Sequence, residues 1–157
     1  MANTLKGQLK RLYEYGARKL VFTGIGAIGC VPAETVKNET HEFSEEHNFW
    51  SVKYNEAMKA MLKGLKSEIQ GINYSYFDTY SVMQNVIQKP SSYWFNEIQR
   101  ACCGLEDLKA KVPCVPVSKY CYNRAIMFSG ICIIRLRRRL GFSWIIFLMV
   151  LHSIVSQ

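Results

Sequence analysis

The chain has 157 residues, of which 49% are hydrophobic and 20% charged; this composition excludes a disordered tail, and the length suits one domain. The formal net charge of +8 is unevenly placed, because residues 1–107 hold 12 basic and 12 acidic side chains and no acid follows Asp107. A neutral domain with a basic tail lacks the folded basic face that nucleic-acid binding requires. We therefore expect no nucleic-acid partner.

A helix and a strand are predicted first. Leu5, Leu9 and Leu12 recur at the spacing of one helix face, and Gly16 is a suitable residue to end that helix. Residues 18–23 then form a short apolar run that predicts a buried strand.

A longer helix is predicted after a glycine-rich turn at residues 24–32 and a polar loop at residues 33–43. Ser44 offers a hydroxyl N-cap, and the two glutamates after it place acids against the positive end of the helix dipole. Gly71 stops the pattern. We expect the helix to bury an apolar stripe that consists of Trp50, Tyr54, Met58, Met61, Leu65 and Ile69.

The order of these elements indicates the fold class. Residues 72–78 predict a second strand, residues 81–88 predict a short helix closed by Pro90, and the chain from there to Arg124 is predicted to be a loop. Alternating helices and strands indicate an α/β fold with a parallel sheet. Because such a sheet has more than two strands and is covered on both faces, we expect a partial domain.

Gly24, Gly26 and Gly29 have the spacing of a dinucleotide-binding turn. That site requires a helix that begins at the third glycine and an acid at the end of a second strand. Pro32 and a polar loop follow instead. We therefore predict no nucleotide and no other cofactor.

Four of the six cysteines lie within twenty residues, and their density favours disulfides. Three pairings are open for four cysteines. A zinc site is the alternative, but no histidine is near and paired Cys-x-x-Cys spacing is absent, so we predict no metal site. The disulfide candidates are Cys102, Cys103, Cys114 and Cys121.

Two tripeptides match the acceptor sequence for N-linked glycans, and they begin at Asn38 and Asn73. Such sites and disulfides are typical of secreted proteins. The first residues of the chain, however, form a polar, lysine-rich stretch without the apolar run of a signal peptide. These two indications conflict.

A family resemblance becomes clear at the glycine-rich turn. Residues 16–22 (GARKLVF) and 26–32 (GAIGCVP) resemble a segment of plant GDSL-type esterase/lipases, which belong to the SGNH hydrolase superfamily. The resemblance runs from residue 5 to residue 124 in the order and spacing of that family. Its further blocks include Glu45, Glu46 and Asn48; residues 53–55, 76–78, 101–104 and 113–114; and Tyr80, Pro90, Tyr93, Phe95, Cys121, Asn123 and Arg124.

The resemblance implies a three-layer α/β/α, flavodoxin-like domain that hydrolyses carboxylic esters of lipid or acyl type, in a secreted protein. Such enzymes use a Ser-Asp-His triad with oxyanion donors. The family's Gly-Asp-Ser, Gly-x-Asn-Asp and Asp-x-x-His blocks do not occur in this sequence. We therefore assign no catalytic residue, and we expect the domain to lack its N-terminal strands and its C-terminal catalytic block.

The remaining acids and histidines do not replace the missing blocks. Asp78 and Asp107 are the only aspartates, and neither has a histidine three residues later. His41 and His47 are predicted to be solvated surface residues. The resemblance places Asp78 in a structural block at the end of a strand.

Two positions depart from the family pattern. Phe43 stands where the family often has a cysteine, so Cys30 is expected to lack its usual partner. Trp94 stands where the family usually has glycine.

The sequence divides into a partial GDSL esterase/lipase domain at residues 1–124 and a divergent tail at residues 125–157. Read-through or a shifted reading frame explains the tail most simply. A membrane anchor at residues 140–155 is the alternative, although 16 residues form a helix of only about 24 Å against a hydrocarbon core of about 30 Å.

The sequence is compatible with three functions. The chain is an esterase, a truncated product without catalytic activity, or a small non-catalytic membrane-associated or binding protein that reuses the fold. We expect the chain alone to be marginally stable. It would expose apolar faces at residues 20–22 and 76–77, at Trp50 and at Met58.

Overall fold

A computed structural model describes residues 2–129 of the chain. These described residues form four helices and four strands, and short 3₁₀ turns lie in three of the connections between them. In chain order they are α1 (Ala2–Glu14), β1 (Lys19–Thr23), α2 (Pro32–Thr35), α3 (Glu45–Glu68), β2 (Asn73–Phe77), α4 (Thr79–Gln88), β3 (Glu97–Ala101) and β4 (Met127–Ser129).

The first sheet pairs β1 with β2 in parallel, with Lys19 opposite Asn73 and Thr23 opposite Phe77. The two strands are joined through α3, and a parallel pair requires a crossover connection of this helical kind. The predicted helix–strand order and the partial α/β fold are therefore confirmed.

The helix boundaries follow the predicted signals. The Ser44 side chain accepts a hydrogen bond from the backbone N–H of His47 and caps α3. After α1, Gly16 adopts φ +98°, a left-handed conformation that suits glycine. The predicted polar loop at residues 33–43 differs, since α2 forms at its start with Pro32 at the first helical position.

One core lies between α1, α3 and the first sheet. Most of its buried residues belong to α3, and side chains of the first sheet pack against them. Those of the sheet are Leu20, Phe22, Tyr74 and Tyr76. The buried residues of this cluster are Leu9, Met58, Met61, Leu62, Leu65 and Ile72. The expected exposure of Met58 is therefore wrong.

At Trp50 the predicted buried stripe is wrong and the expected exposure in a partial domain is confirmed, because 60% of its surface is exposed. The buried residues in this part of α3 are instead Ser51 and Asn55. Trp50 stacks edge to face on the neighbouring Phe49 at a centroid distance of 5.3 Å. Asn55 is buried because its amide bonds the loop after β1, whereas the Ser51 hydroxyl donates to the carbonyl of His47 within α3.

The segment predicted to be a loop from Pro90 to Arg124 contains β3, which pairs in parallel with β4. Phe128 of β4 is 2% exposed and packs edge to face on Phe95. β4 follows the predicted domain boundary at residue 124, so the first residues of the predicted tail pack into the fold.

No helix within residues 2–129 combines the length and the apolar character needed to cross a bilayer. The predicted membrane segment at residues 140–155 lies outside the described residues.

Candidate functional site

The loop that follows β1 lies at the carboxyl ends of the parallel strands, the edge where α/β folds place their ligands. Asn55 of α3 holds the start of this loop. Its side-chain oxygen accepts from the backbone N–H of Ile25 and its side-chain nitrogen donates to the carbonyl of Ile25, both at 2.8 Å. Gly24 allows the Tyr76 hydroxyl to approach the loop closely, since a Cβ at residue 24 would lie 2.2 Å from that oxygen.

Asn48 lies about two turns before Asn55 in α3 and holds the end of the same loop. Its side-chain oxygen accepts from the backbone N–H of Gly29 at 3.0 Å, and its nitrogen lies 3.3 Å from the Cys30 sulfur. The carbonyl of Gly29 accepts from the backbone N–H of Ser44 at 2.9 Å. Two asparagines seven residues apart therefore fix both ends of the loop to α3.

Cys30 is a buried free thiol. Burial raises its pKa, against the opposing effect of the hydrogen bond from Asn48. Phe43, which stands where the family often has cysteine, packs against the cluster that contains Cys30. A buried thiol with a raised pKa is a poor nucleophile.

Asp78 follows β2 at the same edge of the sheet. One carboxylate oxygen caps α4 by accepting from the backbone N–H of Ser81 at 3.1 Å, and the other accepts from Lys59 at 2.9 Å. Partial burial raises the pKa of Asp78, but the bonds from Lys59 and Ser81 outweigh it and lower the pKa overall. Both oxygens are thus engaged in holding helices α3 and α4.

Tyr76 lies beside this ion pair, with the Lys59 ammonium 4.9 Å from its ring centroid. Its hydroxyl is buried and has no hydrogen-bond partner among the described residues. Burial raises the pKa of this phenol.

Both histidines lie at the surface, where 28% of the His41 side chain and 45% of the His47 side chain are exposed, and each has a neighbouring polar partner. His41 is 2.7 Å from a carboxylate oxygen of Asp107, and the bond from His41 lowers the pKa of Asp107. His47 Nδ1 lies 2.6 Å from the Ser44 hydroxyl, and its Nε2 lies 3.7 Å from Glu34. The last distance is too long for a hydrogen bond, and the Ser44 hydroxyl is engaged as the cap of α3.

The four clustered cysteines form two disulfides, Cys102–Cys121 and Cys103–Cys114. The connectivity that sequence left open is therefore fixed, and these sulfurs are not available to zinc. Among residues 2–129, no group of three histidine, cysteine or acidic side chains could hold a metal ion.

Trp94 adopts a left-handed conformation, with φ +59° after the 3₁₀ turn Pro90–Tyr93. Glycine adopts this conformation without steric cost, whereas a side chain such as that of Trp94 does so rarely. The side chain is 67% exposed.

Comparison with known proteins assigns the family. The family model for GDSL-like lipase/acylhydrolase matches residues 1–116. The chain belongs to this family. Among its relatives in Arabidopsis thaliana, three proteins named GDSL esterase/lipase are 45%, 35% and 34% identical to it over 126, 124 and 128 residues.

These matches cover 79%, 79% and 80% of this GDSL family chain but only 34%, 35% and 35% of the three relatives. The chain thus spans about a third of the length of the relatives it matches. The resemblance derived from residues 5–124 is confirmed by the family match.

Proposed function

We propose that this chain is part of a carboxylic ester hydrolase that acts on lipid or acyl esters through a Ser-Asp-His triad. The observation that carries the proposal is the family match over residues 1–116. The loop clamped by Asn48 and Asn55 supports it, because that loop lies at the sheet edge where an α/β hydrolase binds its substrate.

We also propose that the 157-residue chain has no turnover by itself. The Gly-Asp-Ser and Asp-x-x-His blocks are not in its sequence, and the described residues place no serine, histidine and carboxylate in a hydrogen-bonded series. Ser44, His47 and Glu34 come nearest to such a series. The helix cap at the start of α3 explains why Ser44 and His47 are close together. An extracellular location suits the two disulfides and the family.

Two measurements test these proposals. For the isolated chain, we expect hydrolysis of p-nitrophenyl esters of short and long acyl chains no faster than by heat-denatured chain. We also expect no labelling of Ser44 by a fluorophosphonate probe. Ester turnover that disappears in Ser44→Ala would show that the chain carries a nucleophile of its own.

A chimera tests the hydrolase itself. In the 45% identical relative, the matched segment would be replaced by the corresponding residues of this chain. We expect the chimera to retain ester hydrolysis. A chimera that folds and retains the catalytic blocks of the relative but has no activity would favour the alternative, a non-catalytic membrane-associated or binding protein.

A further inference from the structure

The two acceptor sequences for N-linked glycans lie in different structural surroundings. Asn38 lies in a turn after α2, whereas Asn73 is the first residue of β2. Both side chains are exposed. Exposure therefore does not distinguish the two sites. The sites differ in the hydrogen bonds that hold the backbone of each tripeptide.

At Asn38 the acceptor tripeptide is held only by local bonds. The side-chain oxygen of Asn38 accepts from the backbone N–H of Thr40 at 3.1 Å and from its hydroxyl at 3.0 Å. The backbone N–H of Asn38 donates to Thr35, and its carbonyl accepts from His41. No described residue accepts a hydrogen bond from the side-chain nitrogen of Asn38, which is the atom that glycosylation modifies.

At Asn73 the tripeptide is part of the first sheet. The backbone N–H of Asn73 donates to the carbonyl of Arg18 at 2.8 Å, and Ser75 pairs in register with Val21. Tyr74, between them, packs against the core formed with α1 and α3. An enzyme that binds residues 73–75 must detach β2 from β1 and remove Tyr74 from that core, which requires partial unfolding.

We propose that Asn38 is an N-glycosylation site of the folded chain and that Asn73 is accessible only when β2 is detached. The donor is an oligosaccharide linked to a lipid pyrophosphate. The Asn38 side-chain nitrogen forms a bond to the anomeric carbon and loses one proton. The bond from that carbon to the pyrophosphate oxygen breaks, and the lipid pyrophosphate leaves with the electron pair.

Two other features of the chain agree with glycosylation at Asn38. A glycan at Asn38 lies on an exposed turn, where a bulky, hydrated group contacts no core residue. The compartment that attaches such glycans is also oxidising, which suits the disulfides Cys102–Cys121 and Cys103–Cys114.

The test uses the full chain with its disulfides formed, a purified oligosaccharyltransferase and a lipid-linked oligosaccharide donor. Glycan occupancy at each asparagine is followed by mass spectrometry. The same reaction on reduced, alkylated and unfolded chain gives the intrinsic rate at each site. The variants are Asn38→Gln, Asn73→Gln and Thr40→Ala, each compared with wild type by circular dichroism.

We expect the folded chain to take one glycan, which Asn38→Gln and Thr40→Ala abolish and Asn73→Gln leaves unchanged. The unfolded chain should take two. The rate at Asn73 should rise at least about tenfold on unfolding, whereas the rate at Asn38 should change by less than about threefold, because only Asn73 requires the sheet to open. Equal rates at both sites in the folded chain, or no glycan at Asn38, would overturn the proposal.

Discussion

The side-chain amide of Asn55 forms both of its hydrogen bonds with the backbone of a single residue, Ile25, each at 2.8 Å. Asn55 is 4% exposed. A buried amide thus replaces the strand partner that the backbone of Ile25 loses when β1 ends. The amide of Asn55 therefore holds the first turn of the loop at the candidate site on α3.

The Asn55 contact predicts a large loss of stability on its removal. In Asn55→Ala, the N–H and carbonyl of Ile25 lose their partners, which should lower the free energy of unfolding by about 2–3 kcal/mol. Urea unfolding followed by circular dichroism measures the loss. Lys63→Ala is the control, because Lys63 is exposed on the same helix. Equal effects of the two substitutions would contradict the assigned role of Asn55.

Gly29 and Gly64 should respond in opposite directions to alanine. A Cβ at Gly29 would lie 2.0 Å from the Ser44 carbonyl oxygen, whereas a Cβ at Gly64 would meet nothing within 4 Å. We expect Gly29→Ala to destabilise the chain by about 1–3 kcal/mol, as overpacking does. Gly64→Ala should stabilise α3 by about 0.5–1 kcal/mol. Thermal unfolding of both variants tests the close approach of the loop to α3, which is refuted if Gly29→Ala is neutral.

The elements that sequence predicted correctly depend on local signals. A hydroxyl cap at Ser44, a left-handed glycine at Gly16 and the short apolar run in β1 determine backbone conformation within a few residues. The resemblance to the GDSL family likewise rested on the order of short blocks. These features do not require knowledge of distant partners.

The features that sequence missed depend on distant contacts. The buried line of α3 could not be read from hydrophobic spacing, because Asn55 is buried by its bonds to a loop thirty residues earlier. β3 has mostly charged and polar residues, and its partner β4 lies after the disulfide-bonded segment, about thirty residues later in the chain. The pairing of the four cysteines was equally open, since spacing permits all three arrangements.

Cys30 should be chemically inert in the folded chain. Its side chain is buried in a cluster against which Phe43 packs, and burial raises its pKa, so the reactive thiolate is scarce. We expect iodoacetamide at pH 8 to alkylate Cys30 at least about tenfold more slowly in buffer than in urea. Site-resolved mass spectrometry provides the rates. Rapid alkylation in buffer would show that the thiol is accessible.

The His41–Asp107 pair should make stability depend on pH in acid. The bond from His41 lowers the pKa of Asp107, so the folded state holds this carboxylate ionised at pH values where the unfolded chain takes up a proton. The resulting stabilisation is fully present above the ordinary aspartate pKa of about 3.9 and is lost as pH falls through the lowered value. Asp107→Asn should therefore be less stable than wild type at pH 5–6, and the difference should shrink toward pH 2–3. Urea midpoints at each pH measure it, with Glu39→Gln as an exposed control. A difference between wild type and Asp107→Asn that stays constant from pH 6 to pH 2.5 would rule out a contribution of this pair to the acid dependence.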